Sequence, residues 1–307
     1  FQAVANGRRS KKFIAHVKKD GVLITNHELK EKAFFEAYER LIGSEHAREH
    51  SLDLQYLGIQ PWDLSELEVM IMEEEVWSII NELPPDRAPG PDGYIVAFYQ
   101  KAWHIIKHDV MAVIHKLYVG DGRGFAKLNK AHIVLIPKKL DAEEIGDYRP
   151  ISLTHSIPKL FAKALANRLR KHMNDIVESN QSAFIKGRHL HDNFLLVRQV
   201  ARKLHARRAP SVFLKLDISR AFDSLSWPFL FEVMEAKGFG TRWMRWVAIL
   251  LQTTSTKIIV NGIPGESFAH ACGLRQGDPI SPMLFVIAMD VLTAMIKKAT
   301  EVGVLST

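Results

Sequence analysis

Apolar side chains in residues 28–41 recur at three- and four-residue spacing, with Phe34, Phe35, Tyr38 and Leu41 on one side, as a half-buried helix requires. The same period over residues 65–83 predicts a second helix through Leu67, Met70, Ile71, Val76, Ile79, Ile80 and Leu83. Ser65 is placed to cap it, and Glu68, three positions on, completes the spacing of a capping box. Residues 84–93, with Pro84, Pro85, Pro89 and Pro91 beside Gly90 and Gly93, break any regular element and mark a boundary. Helical periodicity resumes over residues 94–119, a glycine-rich turn follows at 120–124, and residues 132–136 read as a short strand closed by Pro137. Over residues 158–177, Leu160, Phe161, Leu165, Leu169, Met173 and Ile176 share one helix face, while Lys163, Arg168, Arg170 and Lys171 lie mostly off it. Residues 211–217 predict a strand that ends in Asp217, and residues 228–237 a helix with proline in its first turn and Gly238 beyond its end. A further helix over 243–251 precedes a β run at 256–260, which Asn261-Gly262 closes as a hairpin turn. Helices and strands alternate irregularly, so the chain is of mixed α/β class, with no repeat period and no low-complexity tract.

The 307 residues suffice for about two domains, and 47% hydrophobic with 24% charged residues is a globular composition. The single cysteine, Cys272, cannot form an internal disulfide or a thiolate zinc site alone, which makes a cytoplasmic or nuclear setting the expectation. The longest apolar stretch, residues 283–296, is interrupted by Asp290 and is too short to span a bilayer, so no membrane partner is expected. The first residue is phenylalanine and no signal core follows, so the sequence reads as a piece of a longer chain. The net charge of +7 is strongly segregated. Residues 44–86 hold eleven acidic groups against one basic, whereas residues 123–208 hold eighteen basic against seven acidic, with six histidines besides. Such a basic stretch is either a solvated face or a polyanion surface that gains by releasing counterions.

Three segments carry candidate chemistry. In Leu214-Lys215-Leu216-Asp217-Ile218-Ser219-Arg220-Ala221-Phe222-Asp223, a strand delivers a carboxylate at its end, a suitable ligand for Mg²⁺, although an isolated aspartate there more often caps a turn. Cys272-Gly273-Leu274-Arg275-Gln276-Gly277-Asp278-Pro279-Ile280-Ser281-Pro282 is a shaped loop that opens an apolar helix. Gly277 allows close backbone approach there, and Gln276 offers a donor and an acceptor. Asp147-Tyr148-Arg149-Pro150-Ile151-Ser152-Leu153, after Lys138 and Lys139, can bring cations to a triphosphate, or can be plain surface charge. His104 and His108 are four apart on a helix but lack a third ligand, and Trp243 and Trp246, beside Arg242 and Arg245, can stack on nucleic acid but are rather expected in the core.

In this order and spacing, the three segments resemble the reverse transcriptase domain of non-LTR (LINE-type) retrotransposons, most like the plant elements. The likeness runs from about residue 3 to the C-terminus and takes in Ala88-Pro89-Gly90-Pro91-Asp92-Gly93, the fingers-like 133–138 and 148–153, the basic helix 158–169, and 181–193. It implies a right-hand polymerase fold in three parts: an N-terminal helical extension (1–86), a fingers-like region (87–190) and a partial palm (191–307). It also implies that Asp217 holds Mg²⁺ with help from the Ile218 carbonyl, and that Arg220 and Ala221 present backbone amides to a dNTP. Phe222 would exclude a ribose 2′-hydroxyl, Gln276 and Gly277 would line the nucleotide pocket, and Arg149 would pair with the triphosphate, with Lys138 in competition with Lys139 for a similar role. The expected partners are an RNA template, a DNA primer and dNTP.

One departure is plain. The family's aromatic-Ala-Asp-Asp motif, which supplies further metal-binding carboxylates, does not occur; the sequence ends at Thr307, ahead of where it would fall. Asp223 and Asp278 are read as turn and loop residues. The functional expectation is therefore an RNA-directed DNA polymerase fragment whose intact protein performs two-metal nucleotidyl transfer, or else an inactive nucleic-acid-binding relic. A group II intron maturase is less similar. An incomplete palm is expected to leave apolar surface exposed and the chain poorly soluble.

Overall fold

The sheet that positions the site is built from four strands in a computed structural model that describes residues 13–45, 48–208 and 210–305. Its members are β3 (Lys130–Pro137), β4 (Tyr148–Thr154), β5 (Ser255–Val260) and β6 (Ile263–Ala269), in the order β4-β3-β5-β6. β3 and β5 run parallel and the other two pairings are antiparallel, with Leu135 opposite Pro150 and Ile133 opposite both Ser152 and Ile258. The β5–β6 hairpin turns at Asn261 and Gly262, both with positive φ (53° and 89°), as the Asn-Gly pair predicts. β1 (Val17–Lys19) and β2 (Val22–Ile24) form a separate small hairpin.

Helix α1 (His27–Ile42) begins at Asn26, whose side chain accepts from the Leu29 amide, and lies on one face of the large sheet. Phe34 meets Tyr148 edge-on at 5.4 Å between ring centroids, and Phe35 meets Phe268 at 5.6 Å. Under them lie Ile133, Leu135, Ile258 and Val260, so the alternation of the strands and the period of the helix meet in one apolar layer. A larger core joins α2 (Glu73–Glu82), α3 (Val96–Tyr118), α4 (Ser156–Leu169), α7 (Trp227–Ala236), α8 (Thr241–Gln252) and α9 (Ser281–Glu301). Trp243 and Trp246 are fully buried at its centre, as expected for core residues. Between α4 and α7 lie α5 (Met173–Ile176) and α6 (Leu190–Ala206). No described helix is long and apolar enough to cross a membrane.

Three expectations are corrected. Residues 65–83 do not form one helix: a 3₁₀ turn (Ser65–Glu68) and α2 are separated by extended residues, and Ser65 caps neither. The cause is Arg168, whose guanidinium donates to the carbonyls of Leu67, Val69 and Met70, withdrawing them from helical pairing, and binds both oxygens of Glu75. Glu68, expected to fold back on Ser65, instead accepts the Trp243 amide at 2.8 Å and caps α8. The helix expected over 158–177 is two helices, α4 and α5, which break at Arg170–His172. The strand expected over 211–217 is not part of any described sheet: Val212, Phe213 and Leu214 are 93%, 73% and 73% exposed. Its apolar residues have the composition of a strand, but no described strand lies alongside to take its amides and carbonyls.

Candidate active site

Four segments converge on one cavity of about 420 Å³: the C-terminal half of α1, β4 with the loop before it, residues 217–223, and Gln276. Backbone hydrogen bonds hold them together. Ser152 N donates to Gln276 O (2.9 Å), Leu274 N to Phe222 O (2.6 Å), Gly273 N to Leu225 O (2.8 Å) and Ala271 N to Ile42 O (2.7 Å). Gly273 (φ 75°) is required at this junction, because a Cβ there would lie 2.5 Å from the Asp223 carbonyl oxygen. Behind the loop, buried Arg275 donates to Asn129 Oδ1 and Asp278 Oδ2, both at 2.7 Å, and Asp278 Oδ1 accepts the Ile280 amide. Asp278 therefore serves the loop's shape, and Asn129 anchors that loop to the last turn of α8 through Leu250 O.

Of the residues singled out from sequence, Lys138, Arg149, Asp217, Ile218, Arg220 and Gln276 line the cavity together. The choice between the two lysines is made by geometry: Lys139 pairs with Asp147 at 3.0 Å, whereas Lys138 faces the cavity and donates to Gly146 O. Arg149 and Arg220 both line the cavity, and the planar fork of a guanidinium suits an anionic ligand there; Arg220 also acts on Asp223 through its charge. Asp217 is exposed, and the positive φ of Arg220 (52°) turns the chain sharply three residues later. Ala221, Phe222 and Gly277 are not among the cavity-lining residues. Phe222 stacks on Phe285 of α9 at 4.6 Å, and Gly277 (φ 105°) lies against the Ser152 carbonyl.

Asp223 and Tyr38 also line the cavity, although the sequence alone assigns each only a structural part. Asp223, expected as a turn residue, does close a turn, its amide donating to Arg220 O, but its buried carboxylate also lines the cavity and accepts Gln276 Nε2 at 3.3 Å. Burial raises its pKa above the ordinary carboxylate value, against a lowering by the Gln276 hydrogen bond and by Arg220 and Lys138. Its only sequence signal is a second acid six positions after Asp217. Tyr38, counted as part of a buried helix face, reaches the same cavity from α1, and burial followed by the charge of Asp223 raises its phenol pKa well above the usual value. Nothing local to residues 28–41 marks it. Among the described residues no group of three or more His, Cys, Asp or Glu side chains is placed to hold a metal ion, and His104 and His108 form no such group.

A cavity with several cations, one exposed carboxylate and one buried carboxylate suits a phosphorylated ligand. Residues 136–306, more than half of the chain and all of the site except Tyr38 and its helix, match the family described as reverse transcriptase (RNA-dependent DNA polymerase), and the chain belongs to that family. Relatives include the uncharacterized 149 kDa protein of transposon TX1 from Xenopus laevis, 27% identical over 76% of this chain and 18% of that protein. The retrovirus-related Pol polyprotein of the type-2 retrotransposable element R2DM from Drosophila melanogaster is 30% identical over 71% of this chain and 21% of its own length. The Pol polyprotein of a type-1 element R2 from Nasonia vitripennis is 25% identical over 69% of this chain. The chain thus spans about a fifth of the length of these non-LTR relatives.

Proposed function

We propose that this chain supplies the fingers and part of the palm of an RNA-directed DNA polymerase that copies an RNA template from a DNA primer with dNTPs, in the nucleus or cytoplasm, its parts meeting near residues 87 and 191. The observation that carries the reading is the convergence of Lys138, Arg149 and Arg220 with Asp217 and Gln276 on one cavity, in a chain of the reverse transcriptase family. The cations would hold the triphosphate, Arg149 and Arg220 through paired hydrogen bonds and Lys138 as a point charge. The uncovered face of the sheet supports a nucleic-acid partner. Lys130, Lys257 and Arg149 are exposed there beside half-buried His132, which pairs in register with Lys257. Phe222, 5 positions beyond Asp217, stacks on Phe285 and is not among the lining residues, so it would limit the space open to a sugar only from behind the 217–223 segment.

The family generally uses a divalent metal, and Mg²⁺ is the ion we propose, with Asp217 and the Ile218 carbonyl as this chain's ligands. The described residues do not by themselves fit a two-ion site: Asp217 is the one exposed carboxylate of the cavity, and Asp223 is buried and engaged with Gln276. That observation favours a second reading, in which the chain binds nucleic acid and does no chemistry. Primer extension on an RNA template with Mg²⁺, by the 307-residue chain beside Asp217→Ala, tests the two. Extension that the substitution abolishes supports the polymerase; template binding that weakens steeply with salt, without extension, supports the binding fragment.

A further inference from the structure

Gln276 is fixed at three points. Its carbonyl oxygen accepts the Ser152 amide, its neighbour Arg275 is locked to Asp278 and Asn129, and its side-chain Nε2 donates to Asp223. The first two fix where the side chain starts; only the third acts on the amide itself. A primary amide has two faces of opposite character, donor at Nε2 and acceptor at Oε1, and a carboxylate accepts only. With Nε2 committed to Asp223, Oε1 has no hydrogen-bond partner among the described residues, and it is not one of their buried unpartnered atoms. Gln276 lines the cavity, so this acceptor end of its amide is the one left to whatever the cavity binds.

We infer that Asp223 is a positioning residue, whose carboxylate sets the orientation of the Gln276 amide so that an acceptor, not a donor, meets the bound nucleotide. The inference rests on the reading of the cavity as a nucleotide pocket. Asp223 is suited to this part by its placement. The 220–223 turn and the backbone bonds from Gly273 and Leu274 hold its main chain, and Tyr38 and Cys272 pack around it. Arg220 and Lys138 are the cations near enough to favour its ionised form. A buried carboxylate that merely closed a turn would need no partner on the opposite loop. Here its side-chain partner is the residue whose orientation matters to a ligand.

The test is the affinity of the 307-residue chain for Mg²⁺·dTTP in the presence of an RNA-template/DNA-primer hairpin, by isothermal titration calorimetry, for Asp223→Ala, Asp223→Asn, Gln276→Ala and the double Asp223→Ala/Gln276→Ala. Asp223→Ala and Gln276→Ala are each expected to weaken binding about tenfold, the effect of one hydrogen bond to a charged group. The double substitution is expected to be no weaker than Gln276→Ala alone, because Asp223 acts through Gln276. Asp223→Asn keeps the shape but accepts or donates, and should fall between; its thermal melt separates loss of orientation from loss of fold. Additive losses in the double, or unchanged affinity in Asp223→Ala, overturn the inference and leave the nucleotide pocket intact. No binding by the unsubstituted chain overturns the pocket reading, and this inference with it.

Discussion

Buried charge at single residues gives the sharpest tests of the structure. Lys237 and Asp290 lie 2.7 Å apart with their side chains almost wholly buried, and each is completed by backbone: Lys237 donates to Ile176 O, and Asp290 accepts the Glu178 amide. Removing one partner strands the other, so Asp290→Ala should cost about 3–5 kcal/mol in urea unfolding, whereas Lys237→Met with Asp290→Leu should cost far less. His270 is a second case. It is buried, shares a 2.7 Å hydrogen bond with Thr256, and burial, reinforced by Arg275, pushes its pKa down to about 3. The unfolded chain binds this proton near pH 6.5 and the folded chain does not. Its contribution is therefore complete above pH 6.5 and is lost as pH falls toward 3, by about 1.4 kcal/mol per pH unit. Melting followed by circular dichroism should show His270→Gln with a flatter stability profile between pH 6.5 and 4 than the unsubstituted chain.

At the scale of elements, the joints between segments decide more than the segments do. Gly90 in the proline-rich breaker lies against the end of β4, where a Cβ would come 2.1 Å from the Thr154 carbonyl oxygen, a backbone atom that cannot swing aside. Gly262, at the β5–β6 turn, has open space around it and only a positive φ to satisfy. Gly90→Ala should therefore destabilise by roughly 2 kcal/mol or more through displaced backbone, and Gly262→Ala by about 1 kcal/mol through strain alone; thermal melts of the two should rank them so. Arg168 shows how a joint overrides a local pattern. The apolar period of residues 65–83 is intact in the sequence, yet one guanidinium from α4 draws three carbonyls out of line and divides the helix. Capping logic survives, but Glu68 applies it to α8 instead of to its own turn.

Across the whole molecule, one region stands apart in having apolar surface without cover. No residue of α6 is buried, Phe194, Leu195 and Leu196 are exposed on it, and the segment after it exposes Val212, Phe213, Leu214 and Leu216. Surface of this kind drives association in water. The chain should scatter light and bind a hydrophobic dye at micromolar concentration, and Phe194→Arg with Leu196→Arg should lower both without lowering the melting temperature, since neither side chain packs in a core. The opposite character appears on the open face of the sheet. Lys257→Ala there should reduce the log–log salt slope of RNA binding by about one while leaving the protein's melt unchanged.

What the sequence determined by itself is the set of local elements whose burial is single-faced: α1, α3, α7, α8 and the β5–β6 hairpin follow from apolar period, proline and glycine placement and an Asn-Gly turn. It also marked Asp217, Arg149, Gln276 and Lys138, because each falls within a segment whose residue order resembles one family. What only the tertiary structure decided are relations between distant positions. It made Lys138 and not Lys139 the cavity's lysine, through the Lys139–Asp147 pair, and brought Tyr38 and Asp223 to the cavity. It also placed residues 212–217 outside every described sheet. The reason is physical: periodicity reports which side of an element is apolar, whereas hydrogen-bond partners, ion pairs and pocket walls depend on which elements meet, and local pattern does not encode that meeting.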